Sequence, residues 1–180
     1  MIKPRVYTVE SVTSGHPDKV CDQISDAILD ECLKQDPHSR VAVEVLGSHG
    51  LLVIGGEVTT NDKFDTEAVA KKVYRDIGYN DELRIIAHLV KQSPDIAQGV
   101  DTGGAGDQGI MYGYAEKGGD SEYLPESIFL VQNLTKGLEK MRRSGQFPWL
   151  GPDGKAQVTI EGDCLKTILV SCQHSEAITQ

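Results

Sequence analysis

The apolar residues of this chain repeat with two periods. After Pro17, residues Val20, Ile24 and Ile28 lie four apart, which predicts a helix with one buried face that ends near residue 36. The same spacing predicts helices at 66–77 and 124–145. Runs rich in β-branched and aromatic residues predict strands at 5–13, 40–46, 51–60, 83–90 and 109–115, followed by a hairpin that turns at Gly162 and Asp163.

The order of these elements indicates a repeated architecture. Residues 5–90 follow the order β-α-β-β-α-β, a complete split unit with its helices on one face of one sheet. From residue 109 the order β-α-β-β begins again and stops short. We therefore expect an α+β fold of repeated βαββαβ units, the second one incomplete, with domains at 1–102 and 103–180.

Composition and charge narrow the class of protein. The 180 residues are 39% hydrophobic and 25% charged, as in folded proteins, and the excess of 27 acidic over 18 basic residues gives a net charge of −9. This charge disfavours binding to nucleic acid or to anionic membranes. The densest basic cluster in the sequence is Arg142 with Arg143, so no basic patch is expected.

Targeting signals and cysteine pairs are both missing from the pattern. No stretch approaches the roughly 20 apolar residues of a membrane span, and the start of the chain lacks the apolar core of a signal peptide, so we expect a cytoplasmic protein with no membrane partner. The four cysteines have no close spacing, which argues against a zinc site or a disulfide framework. Cys21 and Cys32 are expected to pack in the core.

The first concentration of chemistry lies where a strand meets a helix, at "ESVTSGHPDKVCDQ". There His16 is able to donate to an anionic oxygen, Asp18 to hold Mg²⁺, and Lys19 to neutralise phosphate. From spacing alone, a solvated helix cap with an acidic first turn is the favoured alternative.

Two carboxylates occupy matched places in neighbouring predicted strands. Glu44 lies among valines, and Glu57 follows Gly55 and Gly56, whose missing side chains allow a ligand to approach the backbone. The pair is suited to a cation or an ammonium group. The alternative is the wet face of a half-buried sheet.

Glycine is concentrated at 91–114, which predicts a loop. "GAGDQG" matches the dinucleotide-binding pattern G-x-G-x-x-G but has neither the preceding strand nor the following helix that this pattern requires. A mobile loop that closes over a polar ligand, with Asp107 and Gln108 at its edge, is one interpretation. An ordinary flexible connection is the other.

Several motifs, taken together, resemble one family. "GHPDK", "CDQISDA", "GGEVTT", "QSPDIAQGV", "GAGDQGIMYGYA", "FPWLGPDGKAQVTI" and "VSCQH" occur in the order found in S-adenosylmethionine synthetases (methionine adenosyltransferases) and cover nearly all of 7–174. The resemblance implies attack of methionine sulfur on C5′ of ATP, followed by hydrolysis of the bound tripolyphosphate to pyrophosphate and phosphate. A thioether needs no general base, so alignment and charge stabilisation are the expected tasks of the site.

For ATP, the resemblance implies roles at four positions. His16 would stabilise the leaving oxygen between C5′ and the α-phosphate, and Lys155 would reach the phosphates. Asp153 would lie alongside at the nucleotide, and Asp107 would lie near the adenine or the methionine amine.

For methionine and the cations, the resemblance implies a second group. Glu57, Gln92 and Asp107 would contact methionine, and residues 92–102 would form a gating loop. Asp18 would bind Mg²⁺ and Glu44 would belong to a K⁺ site.

The chain departs from the family pattern in three ways. Ser14 replaces a commonly acidic residue, and only "DTG" separates "QGV" from "GAGDQG". The third repeat, with its further phosphate ligands, is absent, and active sites in this family lie between subunits of a homodimer or homotetramer. We therefore expect little turnover from this polypeptide alone.

Two other hypotheses stay open at this point. One is a non-catalytic ATP-binding or regulatory module that docks on a full-length relative. The other is a different Mg²⁺-nucleotide enzyme, against which the methionine-site pattern "QSPDI" counts.

Overall fold

A computed structural model describes residues 6–61, 63–117, 123–176 and 178. Arg5, where the sequence predicts the first strand to begin, lies outside this set. The elements run in the order β1 (Val6–Val12), α1 (Pro17–Gln35), β2 (Arg40–Ser48), β3 (Leu51–Thr59), α2 (Thr66–Ile77), β4 (Arg84–Val90), α3 (Pro94–Asp101), α4 (Glu126–Arg143), β5 (Leu150–Glu161) and β6 (Cys164–His174). The α+β class is confirmed.

The chain forms two compact units, one of which is built from two separate stretches of the sequence. One unit contains Val20–Gly113, and the other contains the described residues of Met1–Lys19 and Tyr114–Gln180. The division into domains at residues 102 and 103 stays a prediction.

In the unit Val20–Gly113, the strands form the order β2-β3-β4, with β2 antiparallel and β4 parallel to β3. The buried stripe of α1 is the predicted one, and Cys32 extends it. These side chains pack with Val43, Leu52 and Ile54 of the sheet and with residues of α2. One face of the sheet therefore carries the core.

Local signals explain why α2 begins and ends where the sequence predicts. The Asp65 side chain caps the helix by accepting a hydrogen bond from the Ala68 backbone N–H at 3.0 Å. Gly78 ends it with a positive φ of 122°, and its N–H donates to the Arg75 carbonyl.

In the other unit, the strand order is β1-β5-β6, all antiparallel. Helix α4 covers β1 and β5, so Val131 packs with Ala156, Val158 and Val9. The hairpin between β5 and β6 turns at Gly162, as predicted, with φ of 60°. Strand β6 is exposed along nearly its whole length.

The structure corrects three predictions about the elements. The expectation that the first strand joins the sheet of β2, β3 and β4 is wrong, because β1 pairs with β5 from Val6↔Glu161 to Val12↔Lys155. The strand predicted at 109–115 does not form, since no partner strand is paired with it in the described sheets. Part of the predicted loop at 92–102 is helix α3, which Ser93 caps by accepting from the Asp95 N–H.

Two adjacent glycines in β3 give a matched stability prediction. A Cβ on Gly56 would overlap the Ala42 carbonyl oxygen, and its φ of 138° disfavours other residues. A Cβ on Gly55 would meet only the His88 carbonyl oxygen, at 3.9 Å. We expect Gly56→Ala to lower the free energy of unfolding by at least about 2 kcal/mol and Gly55→Ala to change it by less than about 1 kcal/mol. Urea denaturation measures both, and equal losses would contradict this account of β3.

Candidate active site

The candidate residues fall into two sets, one in each compact unit. His16, Asp18, Asp153 and Lys155 belong to the unit that contains β1 and β5. Glu44, Glu57, Gln92 and Asp107 belong to Val20–Gly113.

The turn between β1 and α1 is fixed to β5. The Thr13 hydroxyl donates to the Pro152 carbonyl at 2.7 Å, and the Thr13 N–H donates to the Gly154 carbonyl at 2.9 Å. Gly15 lies so close to Pro152 that a Cβ there would overlap the Pro152 backbone. These contacts hold the segment before His16 against the strand that carries Asp153 and Lys155.

The His16 ring is oriented by the first turn of α1. The Asp18 backbone N–H donates to His16 Nδ1 at 3.3 Å, and the Asp18 carboxylate lies 3.9 Å from the same atom. When Nδ1 accepts, the ring carries its proton on Nε2, which is then the donor for another group. The His16 side chain is 26% exposed and that of Asp18 is 90% exposed, so a ligand has access to both.

Lys155 lies on the sheet face away from α4. Its Nζ is 2.6 Å from Glu10 Oε2, while the Gln157 side-chain amide donates to Glu10 Oε1 at 2.7 Å. These hydrogen bonds, first from Lys155 and then from Gln157, hold the pKa of Glu10 below its ordinary value. The sequence marked Glu10 as part of a polar cluster, but only the strand pairing shows that it neutralises Lys155.

Asp153 shares the half-exposed face of β5 with Lys155, two residues away. Its backbone N–H donates to the Gln173 side chain at 3.3 Å. The end of the β1–β5 pair therefore carries Asp153, Lys155 and Glu10, and the turn that leads to His16 is bonded to the same strand.

Glu44 and Glu57 lie on the face of their sheet that α1 and α2 leave open. Glu44 pairs with Gly55, and Glu57 pairs with Ala42, so the two carboxylates are diagonal neighbours across β2 and β3. Such positions are about 7–8 Å apart. The predicted matching of the two carboxylates therefore holds in the sheet, with the small Gly55 beside them.

Gln92 and Asp107 lie on either side of α3. Gln92 Oε1 accepts from Arg40 Nε at 2.9 Å, and Arg40 also donates to Asp101 at 2.6 Å. Asp107 is exposed, and its described hydrogen bond is with the Gln108 N–H next to it. The described hydrogen bonds of Gln92 and Asp107 therefore join these two residues neither to each other nor to the two glutamates.

Metal-binding groups are sparse in the described residues. No set of three or more His, Cys, Asp and Glu side chains there is arranged to hold a metal ion. Asp18 and Glu44 each offer a single exposed carboxylate. Single carboxylates suit cations that take their remaining ligands from water or from substrate oxygens.

Sequence reasoning missed two features formed by basic side chains: the contacts of Arg40 and a groove beside α4. Arg40 opens β2 with no motif around it, and only its contacts show that it holds Gln92. Lys136, Lys140 and Arg143 follow the spacing i, i+4, i+7 on α4 and, with Lys19, line a groove of about 540 Å³. Glu139 lines the same groove and its Oε1 lies 2.6 Å from Arg143 Nε, so the absence of a basic patch stays a prediction.

No helix among the described residues is long and apolar enough to cross a membrane.

Comparison with known proteins identifies the relatives of this chain. Residues 4–97 match the family model described as S-adenosylmethionine synthetase, N-terminal domain, and residues 102–180 match that of the central domain. S-adenosylmethionine synthase 1 of Rhodopseudomonas palustris is 50% identical over 98% of this chain and 50% of the relative. The Wolinella succinogenes synthase is 46% identical over 100% and 51%, and the Clostridium tetani synthase is 41% identical over 98% and 52%. The chain spans about half the length of these curated relatives.

The Lys155–Glu10 pair gives a pH prediction. We expect Lys155→Met to raise the pKa of Glu10 toward its ordinary value, because the strongest hydrogen bond to the carboxylate is lost while that from Gln157 stays. Carboxyl-carbon NMR titration measures this pKa.

The lowered pKa of Glu10 determines how its contribution to the stability of the fold depends on pH. A carboxyl whose pKa is lower in the folded state stabilises the fold above its unfolded pKa, and that contribution is lost as pH falls through the folded pKa. This acid-dependent loss should be smaller in Lys155→Met. Lys166→Met, which removes the 3.0 Å pair with Glu161, is the matched control. An unchanged Glu10 titration in Lys155→Met would contradict the assignment.

Proposed function

Because the chain belongs to the S-adenosylmethionine synthetase family, we propose that it serves the synthesis of S-adenosylmethionine from ATP and L-methionine. The observation that carries this proposal furthest is the end of the β1–β5 pair. There the Thr13 contacts with Pro152 and Gly154 hold the segment before His16 beside the strand that bears Lys155. Donors and a cation at one place suit a triphosphate.

The proposed reaction explains why hydrogen-bond donors and cations are the expected groups of the site. The methionine sulfur forms a bond to C5′ of ATP while the bond from C5′ to the α-phosphate oxygen breaks, and the electron pair leaves with the tripolyphosphate. The sulfur carries no proton, so no general base is needed. Charge on the departing oxygen is what the site must stabilise.

His16 is suited to the departing oxygen. Its Nδ1 is occupied by the Asp18 N–H, which leaves the Nε2–H as the donor. In this proposal the Nε2–H donates to the oxygen between C5′ and the α-phosphate. Lys155, held on the sheet face by Glu10, would bind the phosphates, with Asp153 beside it at the nucleotide. Hydrolysis of tripolyphosphate would then give pyrophosphate and phosphate.

Methionine would bind through the second set of residues. Glu57 offers a carboxylate to the amino group, and Gln92 offers an amide. Asp107 would contribute near the amine or the adenine once residues 92–102 close over the ligand. Glu57 and Gln92 are half-buried and Asp107 is exposed, which supports their access to a ligand.

Two cations belong to the proposal. Asp18 would bind Mg²⁺ and Glu44 would belong to a K⁺ site, in keeping with oxygen as the ligand of hard cations. When bound, these ions neutralise phosphate charge and order the site. We further propose a homodimer or homotetramer in the cytoplasm as the working form.

Product formation tests the proposed function directly. The purified protein is incubated with ATP, L-methionine, Mg²⁺ and K⁺, and S-adenosylmethionine, pyrophosphate and phosphate are measured. We expect little turnover from this polypeptide alone, with the three products in equal amounts. Robust product formation would contradict the expectation of little turnover. ATP binding with no S-adenosylmethionine at all would contradict synthesis and support a non-catalytic module that docks on a full-length relative.

His16→Asn tests the role at the leaving oxygen. Loss of this donor should lower the rate of S-adenosylmethionine formation by about 10²- to 10³-fold. Hydrolysis of added tripolyphosphate should fall much less, because that step does not break the bond to C5′. His174→Asn on the exposed β6 is the matched control and should leave both rates unchanged. Equal losses of both activities in His16→Asn would refute the assignment.

A further inference from the structure

Packing does little to hold helix α3 in place. None of the eight residues described for Pro94–Asp101 is buried. The helix is too short to be stable in water by itself. Its Ser93 cap stabilises the first turn but does not attach the helix to the sheet. The position of α3 therefore depends on contacts at its ends.

Arg40 supplies contacts at both ends of this segment. Its Nε donates to Gln92 Oε1 at 2.9 Å, just before the helix, and its Nη1 donates to Asp101 Oδ1 at 2.6 Å, at the last helical residue. The Arg40 side chain is 27% exposed, so the two bonds are partly screened from water. One guanidinium thus fastens both ends of 92–101 to the start of β2.

The contact with Gln92 also fixes the orientation of its amide. A guanidinium has only donors, so the Gln92 atom that faces it must be the carbonyl oxygen. The amide nitrogen, with two protons, is then left to face a ligand. Oriented in this way, Gln92 recognises a hydrogen-bond acceptor and not an ammonium group.

We propose that Arg40 is a positioning residue that holds α3 in place and presents the Gln92 amide nitrogen to the carboxylate of the bound amino acid. The part about the carboxylate rests on the proposed function. In this proposal, two residues bind the two charged groups of methionine. Glu57 accepts from the amino group, and Gln92 donates to the carboxylate. The part about α3 depends on the contacts alone.

Hydrogen exchange tests the part that depends on the contacts alone. In Arg40→Ala, the guanidinium bonds to Gln92 and to Asp101 are both lost. The amides of 93–101 should therefore exchange about three- to tenfold faster in millisecond deuterium labelling. Arg40→Lys keeps the positive charge but not the planar guanidinium that reaches two acceptors at once, and should give an intermediate exchange rate. Asp101→Ala should accelerate exchange at the C-terminal end of α3 more than at its start. Arg84→Ala, at the first residue of neighbouring β4, is the control and should change nothing in 93–101. Unchanged exchange in Arg40→Ala would overturn the proposal.

Ligand discrimination tests the orientation of Gln92. Binding of L-methionine and of 3-(methylthio)propylamine, which lacks the carboxylate, is measured by calorimetry for the unsubstituted protein, Arg40→Ala and Asp101→Ala. The preference for methionine should fall about tenfold in Arg40→Ala and stay nearly unchanged in Asp101→Ala, which keeps the bond to Gln92. Equal loss of affinity for both ligands in Arg40→Ala would overturn the orienting role. Absence of methionine binding by the unsubstituted protein would refute the proposed function instead, and the exchange rates would still decide whether Arg40 holds α3.

Discussion

The antiparallel pairing of β1 with β5 is the interaction on which one set of candidate residues, that of His16, Asp153 and Lys155, depends. Its register runs from Val6 opposite Glu161 to Val12 opposite Lys155. More than 100 residues separate the two strands along the chain. The pairing continues past the strand through Thr13, which bonds to Pro152 and Gly154. Without it, His16 has no fixed relation to Lys155, and Lys155 loses the Glu10 carboxylate that neutralises it.

Because side chains alternate along each strand, the residues that pack under the helices and the polar candidate residues lie on opposite faces of the sheets. On β1, Ser11 bonds to Thr135 of α4 at 3.0 Å, while neighbouring Glu10 points to the opposite face and meets Lys155. In the other unit, Val43 packs under the helices while Glu44 lies on the open face. Each sheet thus devotes one face to the core and leaves the other to polar groups, which is why helices on one face leave room for a ligand.

Local signals in the sequence predict most of the elements well. Helix α2 matches its predicted bounds because the Asp65 cap and Gly78 mark both ends, and the hairpin at Gly162 is set by its turn. The partner of β1 has no local signal, because long-range pairing depends on what else the sheet offers. Helix α3 did have a signal in Ser93, Pro94 and Asp95, which the surrounding glycines obscured. Residues 109–115 show the reverse case, in which β propensity without a partner strand gives no strand.

The candidate residues divide in the same way. The matched placing of Glu44 and Glu57 follows from strand periodicity and can be predicted, whereas the contact of Arg40 with Gln92 cannot, since it joins two strand ends through one long side chain.

The two sets of candidate residues, each taken within its own unit, differ in how firmly they are held. Around His16, backbone hydrogen bonds and the close fit of Gly15 on Pro152 leave the turn little freedom. Around Gln92, an exposed helix relies on one guanidinium, and such weakly packed segments are the ones that open locally at low cost. Backbone bonds between paired strands fix a turn in place, whereas side-chain bonds at the ends of a short helix let it open without disturbing the sheet. In this fold, β1 and β5 provide the first kind of contact, within one unit, and α3 depends on the second kind, within the other.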